Sequence, residues 1–414
     1  MDYINTPMNK IGRVVTGKTP STAVPEYYDG EIMFITPTEL HTDFTVEKSE
    51  KTITQAGFDS IRTNTIRGTS VMVGCIGWDM GNVALCTETC ATNQQINSIT
   101  DIKSGYNPLY LYYWIKTKKD YLFSIASVTR TPILSKSTFE EILVPMPKKD
   151  RQDAVARALS SIDKKIVLNN HINDNLQQQL KLIFDYWFTQ YDFPSTDGRP
   201  YRSSGGQMVS ANNISRMIPA GWKVESVFQN SLSSVIKPGV EPFVSKTYLA
   251  TAEVNGTTIS TGTSIEFETR ESRANMQPTE NSVWFAKMKK SIKHLYLNSA
   301  IKPLIEQSIL STGFCGLQCS EESFEYMASF IEHSYFETLK DTLAHGATQE
   351  AVNNDDLAGI ALVVPSDDIL RLYHERTKGI YTQISKHICE NQELTRLRDW
   401  LLPMLMNGQA TVDN

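Results

Sequence analysis

RQDAVARALSSIDKKIVLNNHINDNLQQQLKLIFDYWF, residues 151–188, contains neither proline nor glycine and is rich in strong helix formers, so it predicts one long helix. Its apolar positions Leu159, Ile162, Ile166, Leu176, Leu180, Ile183 and Trp187 advance in steps of three and four, with Asn169 and Asn173 standing on the same seam. This is coiled-coil spacing interrupted by two amides. Residues 369–406 repeat the arrangement, with Tyr373, Thr377, Ile380, Ile384, His387, Asn391, Leu394, Arg398 and Leu401 on the corresponding seam. Asn169 and His387 stand 218 residues apart, as do Asn173 and Asn391.

The repeat extends outward from the helices. EEILVPMPKKD leads into the first and AGIALVVPSDD into the second, each a strand text ending in proline and a polar turn. Phe139 and Leu357 keep the offset of 218. Before each lead-in the text favours short strands, as in EIMFITPTEL, TSVMVGCIGWDMGNVALC, KTYLATAEV and NSVWFAKM. Two stretches with helical periodicity, residues 108–118 and 321–340, occupy matching places. The Gly, Ser, Asn and Pro-rich stretch 194–215 reads as a surface connector. IPAGWKVESVF then opens the second copy much as MNKIGRVV opens the first.

The expected fold is mixed α/β with a pseudo-twofold internal repeat: globules at residues 1–148 and 216–366, helical spacers at 149–193 and 367–409, and a linker at 194–215. Two long helices leaving their globules in the same sense pair antiparallel only when the globules lie at opposite ends, which predicts a dumbbell. Asn169, Asn173, His387 and Asn391 then pin the register where the helices cross, or simply face water at an imperfect seam.

At 414 residues, 40% apolar and 21% charged, the chain has the composition of a globular protein of several domains. No apolar run approaches a membrane span, and MDYINTPMNK lacks the order of a signal peptide, so a cytoplasmic location without membrane contact is expected. The six cysteines are expected to be reduced. Cys86/Cys90 and Cys315/Cys319 allow a four-thiolate zinc site, but their CxxxC spacing and strand-like surroundings favour small buried side chains and no metal.

Sequences that carry chemistry are missing. There is no phosphate loop, no GxGxxG after a strand, no HExxH, no GxSxG, and no NPPF or DPPY tetrapeptide of an amino-methyltransferase. The seven histidines have no metal-ligand spacing and read as surface or helix-face residues; no catalytic residue is assigned. What remains is a binding surface. Lys116, Lys118 and Lys119 follow the aromatic run YLYYW, and Arg130 sits in SVTRTP. Lys287, Lys289, Lys290 and Lys293 cluster in the second copy. Basic groups beside aromatics and hydroxyls suit phosphate contacts, although each cluster alone also fits a solvated charged face. Asn93, Gln94, Gln95 and Asn97 offer amides for base edges and equally for capping turns, while GKTPST offers Lys18, Thr19 and Ser21. Thr36 in FITPTEL, and Lys246 and Tyr248 in KTYLATAEV, complete the candidate DNA contacts. A net charge of −6 stands against a protein that lives on phosphates unless the basic groups act locally or a partner supplies charge.

GKTPST with EYYDGEIMFITPTEL, ATNQQIN, and ILVPMP followed by SSIDKKIVLNN to FDYWF resemble the specificity subunits of type I restriction-modification systems. IPAGWKVESVF, KTYLATAEV and LRDWLLPMLMNGQATV extend the resemblance over essentially the full length. It implies a non-catalytic chain with two target-recognition domains, each reading half of an interrupted site in double-stranded DNA. It also implies helices that set the spacing and dock two modification (methyltransferase) subunits, with restriction subunits completing the complex. S-adenosylmethionine, ATP and Mg would belong to those partners, leaving this chain without a cofactor. The first copy lacks the Gly221–Trp222 type of lead, and residues 257–290 depart from family text, so individual DNA contacts do not carry over from the resemblance. A related type II recognition subunit, an orphan subunit, a coiled-coil scaffold that reads no DNA and a hydrolase are the alternatives.

Overall fold

The unbroken apolar texts SVMVG and VALC form strands Ser70–Gly74 and Val83–Cys86, buried at every position. In the computed structural model, which describes residues 3–411 except 42, 43, 79, 129, 212, 213, 257 and 261, they lie in a four-stranded antiparallel sheet. Its order is Arg13–Thr16, Ile96–Thr100, Ser70–Gly74, Val83–Cys86. A second sheet, in the order Lys51–Ile53, Tyr28–Ile35, Cys90–Thr92, Thr65–Ile66, contains one parallel pairing, Phe34 opposite Ala91.

The second copy repeats this topology. Ser233–Val235, Phe314–Cys319, Ser282–Ala286 and His294–Leu297 form one sheet. Thr263–Ile265, Lys246–Leu249, Ser308–Ser311 and Ala274–Met276 form the other, again with its parallel pair inside, Thr247 opposite Ser308. Each copy closes with the lead-in strand paired to its opening strand: Leu143–Met146 with Ile4–Pro7, and Ala361–Val364 with Lys223–Ser226.

The long helices run Lys149–Phe184, followed by one π-helical turn at Asp185–Thr189, and Asp367–Met406. The chain divides into two compact units, residues 1–167 with 394–414 and residues 168–393, so the division falls inside each long helix and not at its ends, as the sequence boundaries suggested. The reason lies in the cores. In the first unit, Leu159 and the end of the second helix, Leu402, Leu405 and Met406, pack with Tyr110, Leu111 and Tyr113. In the second unit, Leu180, Phe184, Trp187 and Phe188 join Tyr373, Tyr381 and Phe324. An amphipathic helix has no core of its own, so each segment buries its stripe in the nearest one.

Two local expectations change. The single helix expected over 321–340 is two, Phe324–Glu332 and Ser334–Leu343, because His333 is extended and its ring nitrogen caps Tyr335 N. The 194–215 connector contains a strand, Met208–Ala211, paired to Arg216–Pro219. Its Tyr201 ring stacks on Phe193 with centroids 4.6 Å apart.

Candidate nucleic-acid interface

The two loop segments singled out in the first copy meet. Because Thr16 pairs with Asn97, Gly17 runs beside Asn93, and its N–H donates to Ile96 O at 3.1 Å. A Cβ on Gly17 would lie 2.2 Å from Asn93 O, so only glycine allows the approach. Thr19 donates its hydroxyl to Gln94 Oε1 at 2.9 Å. Lys18, Ser21 and Gln94 are exposed at this junction.

Some of the amides serve the loop itself. Asn93 and Gln95 bond each other through Asn93 Nδ2 to Gln95 Oε1 at 2.9 Å and Gln95 N to Asn93 Oδ1 at 3.1 Å. Asn97 is buried and accepts the Thr16 hydroxyl at 2.6 Å. Thr36 is likewise committed: its hydroxyl and N–H both donate to Glu39 Oε2, at 2.7 and 2.8 Å, while Glu50 N donates to Oε1 at 3.0 Å. Burial pushes the Glu39 pKa up, but these donors outweigh it and hold the carboxyl below its ordinary value.

The lysines after the aromatic run lie back over it. Lys116 Nζ sits 5.4 Å from the Tyr112 ring centroid, and Lys118 Nζ 5.5 Å from that of Trp114, both cation–π contacts from half-buried side chains. Arg130 is exposed between the hairpin strands Ser127–Val128 and Pro132–Ile133.

In the second copy the candidates separate. Lys290 is exposed. Lys287 is half-buried, and Lys289 pairs with Glu350 at 2.9 Å. Lys246 is half-buried, 5.6 Å from the Phe243 ring centroid, and donates to Gln277 Oε1; burial lowers its pKa. Tyr248 corrects the sequence reading: it packs with Ala274 and Ile309 at 8% exposure, because its strand is interior to its sheet. It offers DNA no open face.

On the helix seam, Asn169 is fully buried and its Nδ2 donates to Asn391 Oδ1 and Glu390 Oε2, both at 2.8 Å. Asn391 Nδ2 donates to Asn170 Oδ1, and His387 Nδ1 bonds Asn173 Oδ1, each at 2.8 Å. The partner number falls from 391 to 387 as the first rises from 169 to 173, so these segments run antiparallel.

Sequence reading missed two features. Two histidines read as surface or helix-face residues are buried: His294 on Glu337 and His374 on Glu325. Their partners come from distant residues, which spacing does not reveal. Trp78 was read as part of a strand text yet is 80% exposed. The glycines at 77 and 81, with φ of 89° and 85°, were the signal for a turn. Among the described residues no three His, Cys, Asp or Glu side chains cluster to hold a metal ion, and no helix is long and apolar enough to cross a membrane.

A family profile, the type I restriction modification DNA specificity domain, matches residues 7–178. The chain is 26% identical to the type I restriction enzyme MjaIX specificity subunit of Methanocaldococcus jannaschii over 427 aligned residues, covering 97% of this chain and 92% of the relative. It is 29% identical over 173 residues to the HindI specificity subunit of Haemophilus influenzae, covering 41% of this chain and 38% of that one. Among solved structures it is similar to the S subunit of the type I restriction-modification system from M. genitalium. The TM-score is 0.50 at 15% identity, over 98% of this chain and 96% of that one, a likeness of fold.

Proposed function

We propose that this chain is a type I restriction-modification specificity subunit, a non-catalytic DNA-reading chain each of whose two repeats recognises one half of a bipartite site. The observation that carries the reading is the duplicated sheet topology: the same strand order, with the same internal parallel pair, occurs twice in one chain. Two copies of one reader suit a site made of two short sequences separated by a gap. Lys18, Ser21 and Gln94 in the first copy, and Lys290 in the second, are candidate contacts whose exposure suits the role.

The long helices set the gap and dock the modification subunits in this reading. Their exposed apolar residues, Leu168 and Leu182 in one unit and Leu397 and Trp400 in the other, are the kind of surface a partner covers. S-adenosylmethionine, ATP and Mg act on the partner subunits, and modification subunits contribute phosphate contacts that a chain of net charge −6 does not supply alone.

Methylation mapping by single-molecule sequencing tests this in cells carrying the chain with its modification subunit, against cells carrying the modification subunit alone. A bipartite motif with a fixed gap, present only with this chain, is expected. Exchanging residues 216–366 for those of a relative should change one half of the motif. A change in both halves, or no motif from a soluble complex, would sink the reading.

A further inference from the structure

One piece of geometry recurs in both repeats: a hairpin turn whose base is anchored in the core, through Cys75 and Leu134 in the first repeat and Val352 in the second, and whose tip stands in solvent. After strand Ser70–Gly74 the chain turns through Gly77, Trp78 and Gly81 before returning as Val83–Cys86. A downstream segment clamps the turn: Gly77 N donates to Pro132 O at 3.0 Å and Leu134 N to Cys75 O at 2.8 Å. In the second repeat Lys289 N donates to Glu350 O at 2.9 Å and Val352 N to Lys287 O at 3.0 Å. The clamped residues correspond one for one, since 289 and 287 lie 212 beyond 77 and 75, and 350 and 352 lie 218 beyond 132 and 134. Two copies that otherwise diverge keep the same fixed hairpin tip.

What each tip presents differs. The first offers the Trp78 indole, 80% exposed. The hairpin that clamps it carries exposed Arg130 two residues before Pro132, and Lys119 packs its side-chain stem against Gly81 while its Nζ donates to Asn82 Oδ1 at 3.1 Å. The second offers Lys290, with a left-handed φ of 59°, beside Ile292 at 62% exposure. An indole held in water on a rigid turn does nothing for folding. With exposed Arg130 on the same clamping hairpin, an exposed indole suits a polyanion whose stacked bases an apolar side chain can wedge apart, which is duplex DNA.

We propose that this clamped tip is the element of each repeat that enters the DNA, and that Trp78 stacks against bases of the half-site read by the first repeat. The inference rests on the DNA-reading role proposed above. It separates a device shared by both repeats, the clamp, from a tip residue that differs between them: an indole for bases in the first and a cation for phosphate in the second.

The test uses the full chain with its modification subunits in cells, with Trp78→Ala and Trp78→Phe, and reads methylation of the mapped motif at limiting expression. Loss of one base–aromatic stack should lower occupancy by about 10- to 100-fold in Trp78→Ala, with Trp78→Phe retaining most of the signal. The loss should relax sequence preference in one half of the motif only. Both variants should melt with wild-type protein because the indole is exposed; should Trp78→Ala fail to fold, the Trp78→Phe and Trp78→Lys profiles decide. Wild-type methylation and preference in Trp78→Ala would overturn the inference and leave the DNA-reading role standing. No motif from the wild-type complex would overturn both.

Discussion

Arg398 on the second long helix holds Asp163 on the first: Nη1 donates to Oδ1 at 2.8 Å, and the Tyr113 hydroxyl donates to Oδ2 at 2.5 Å. The side chains are 13% and 3% exposed, so this seam position, apolar in most coiled coils, is here a buried ion pair with a hydroxyl completing it. At the matching places 218 residues away stand Leu180 and Tyr381, both in the second unit's core. Arg398→Met should strand the carboxylate and destabilise the protein by about 3 kcal/mol in denaturant unfolding. Arg398→Leu with Asp163→Tyr, which copies the other repeat, should recover much of that loss. A double variant no better than the single would show that the pair is not replaceable by packing.

The seam amides make a second prediction. Asn173→Ala should leave the buried His387 ring without its 2.8 Å partner and cost about 1–3 kcal/mol. Asn169→Leu together with Asn391→Leu should raise the melting temperature while loosening helix register, read as methylated motifs with more than one gap length. A single unchanged gap would mean that the cores at the helix ends, and not the amides, fix the register.

Glu39 makes stability depend on pH. Its folded pKa lies below the ordinary value, so its contribution is complete above about 4.3 and is lost as pH falls through the folded value. Glu39→Gln should therefore be less stable than wild type by about 1.5–3 kcal/mol at neutral pH. The gap should close in acid, as followed by unfolding curves from pH 7 down to 3. A difference independent of pH would assign the effect to packing.

Gly17→Ala should separate the two loop segments, since the added carbon would fall 2.2 Å from Asn93 O. A loss of about 2 kcal/mol or more in stability is expected, together with weaker DNA binding from the displaced Thr19–Gln94 contact. Normal stability would show that the junction can open without cost.

In the second repeat, Lys290→Ala should reduce the slope of log affinity against log salt by about one, as for a lost phosphate contact. Lys289→Ala should change it less, because Glu350 already compensates that charge in the free protein. Equal effects would indicate that the Glu350 pair opens on binding.

The sequence by itself determined the duplicated plan. Periodicity in residues 151–188 and 369–406 gave both helices to within a few residues, and the constant 218 offset gave the repeat, because helical stripes and strand texts are local signals set by burial of one face. The basic and amide-rich segments were also legible as composition. Only the tertiary structure decided which of those side chains are spent. Thr36 is held by Glu39, Lys289 by Glu350, and Tyr248 by its sheet, while Trp78 is left exposed. The same holds for the units, which cut the helices because each helical segment buries its stripe in whichever core lies against it. Exposure and pairing are properties of contacts between residues far apart in the chain, and no local pattern encodes them.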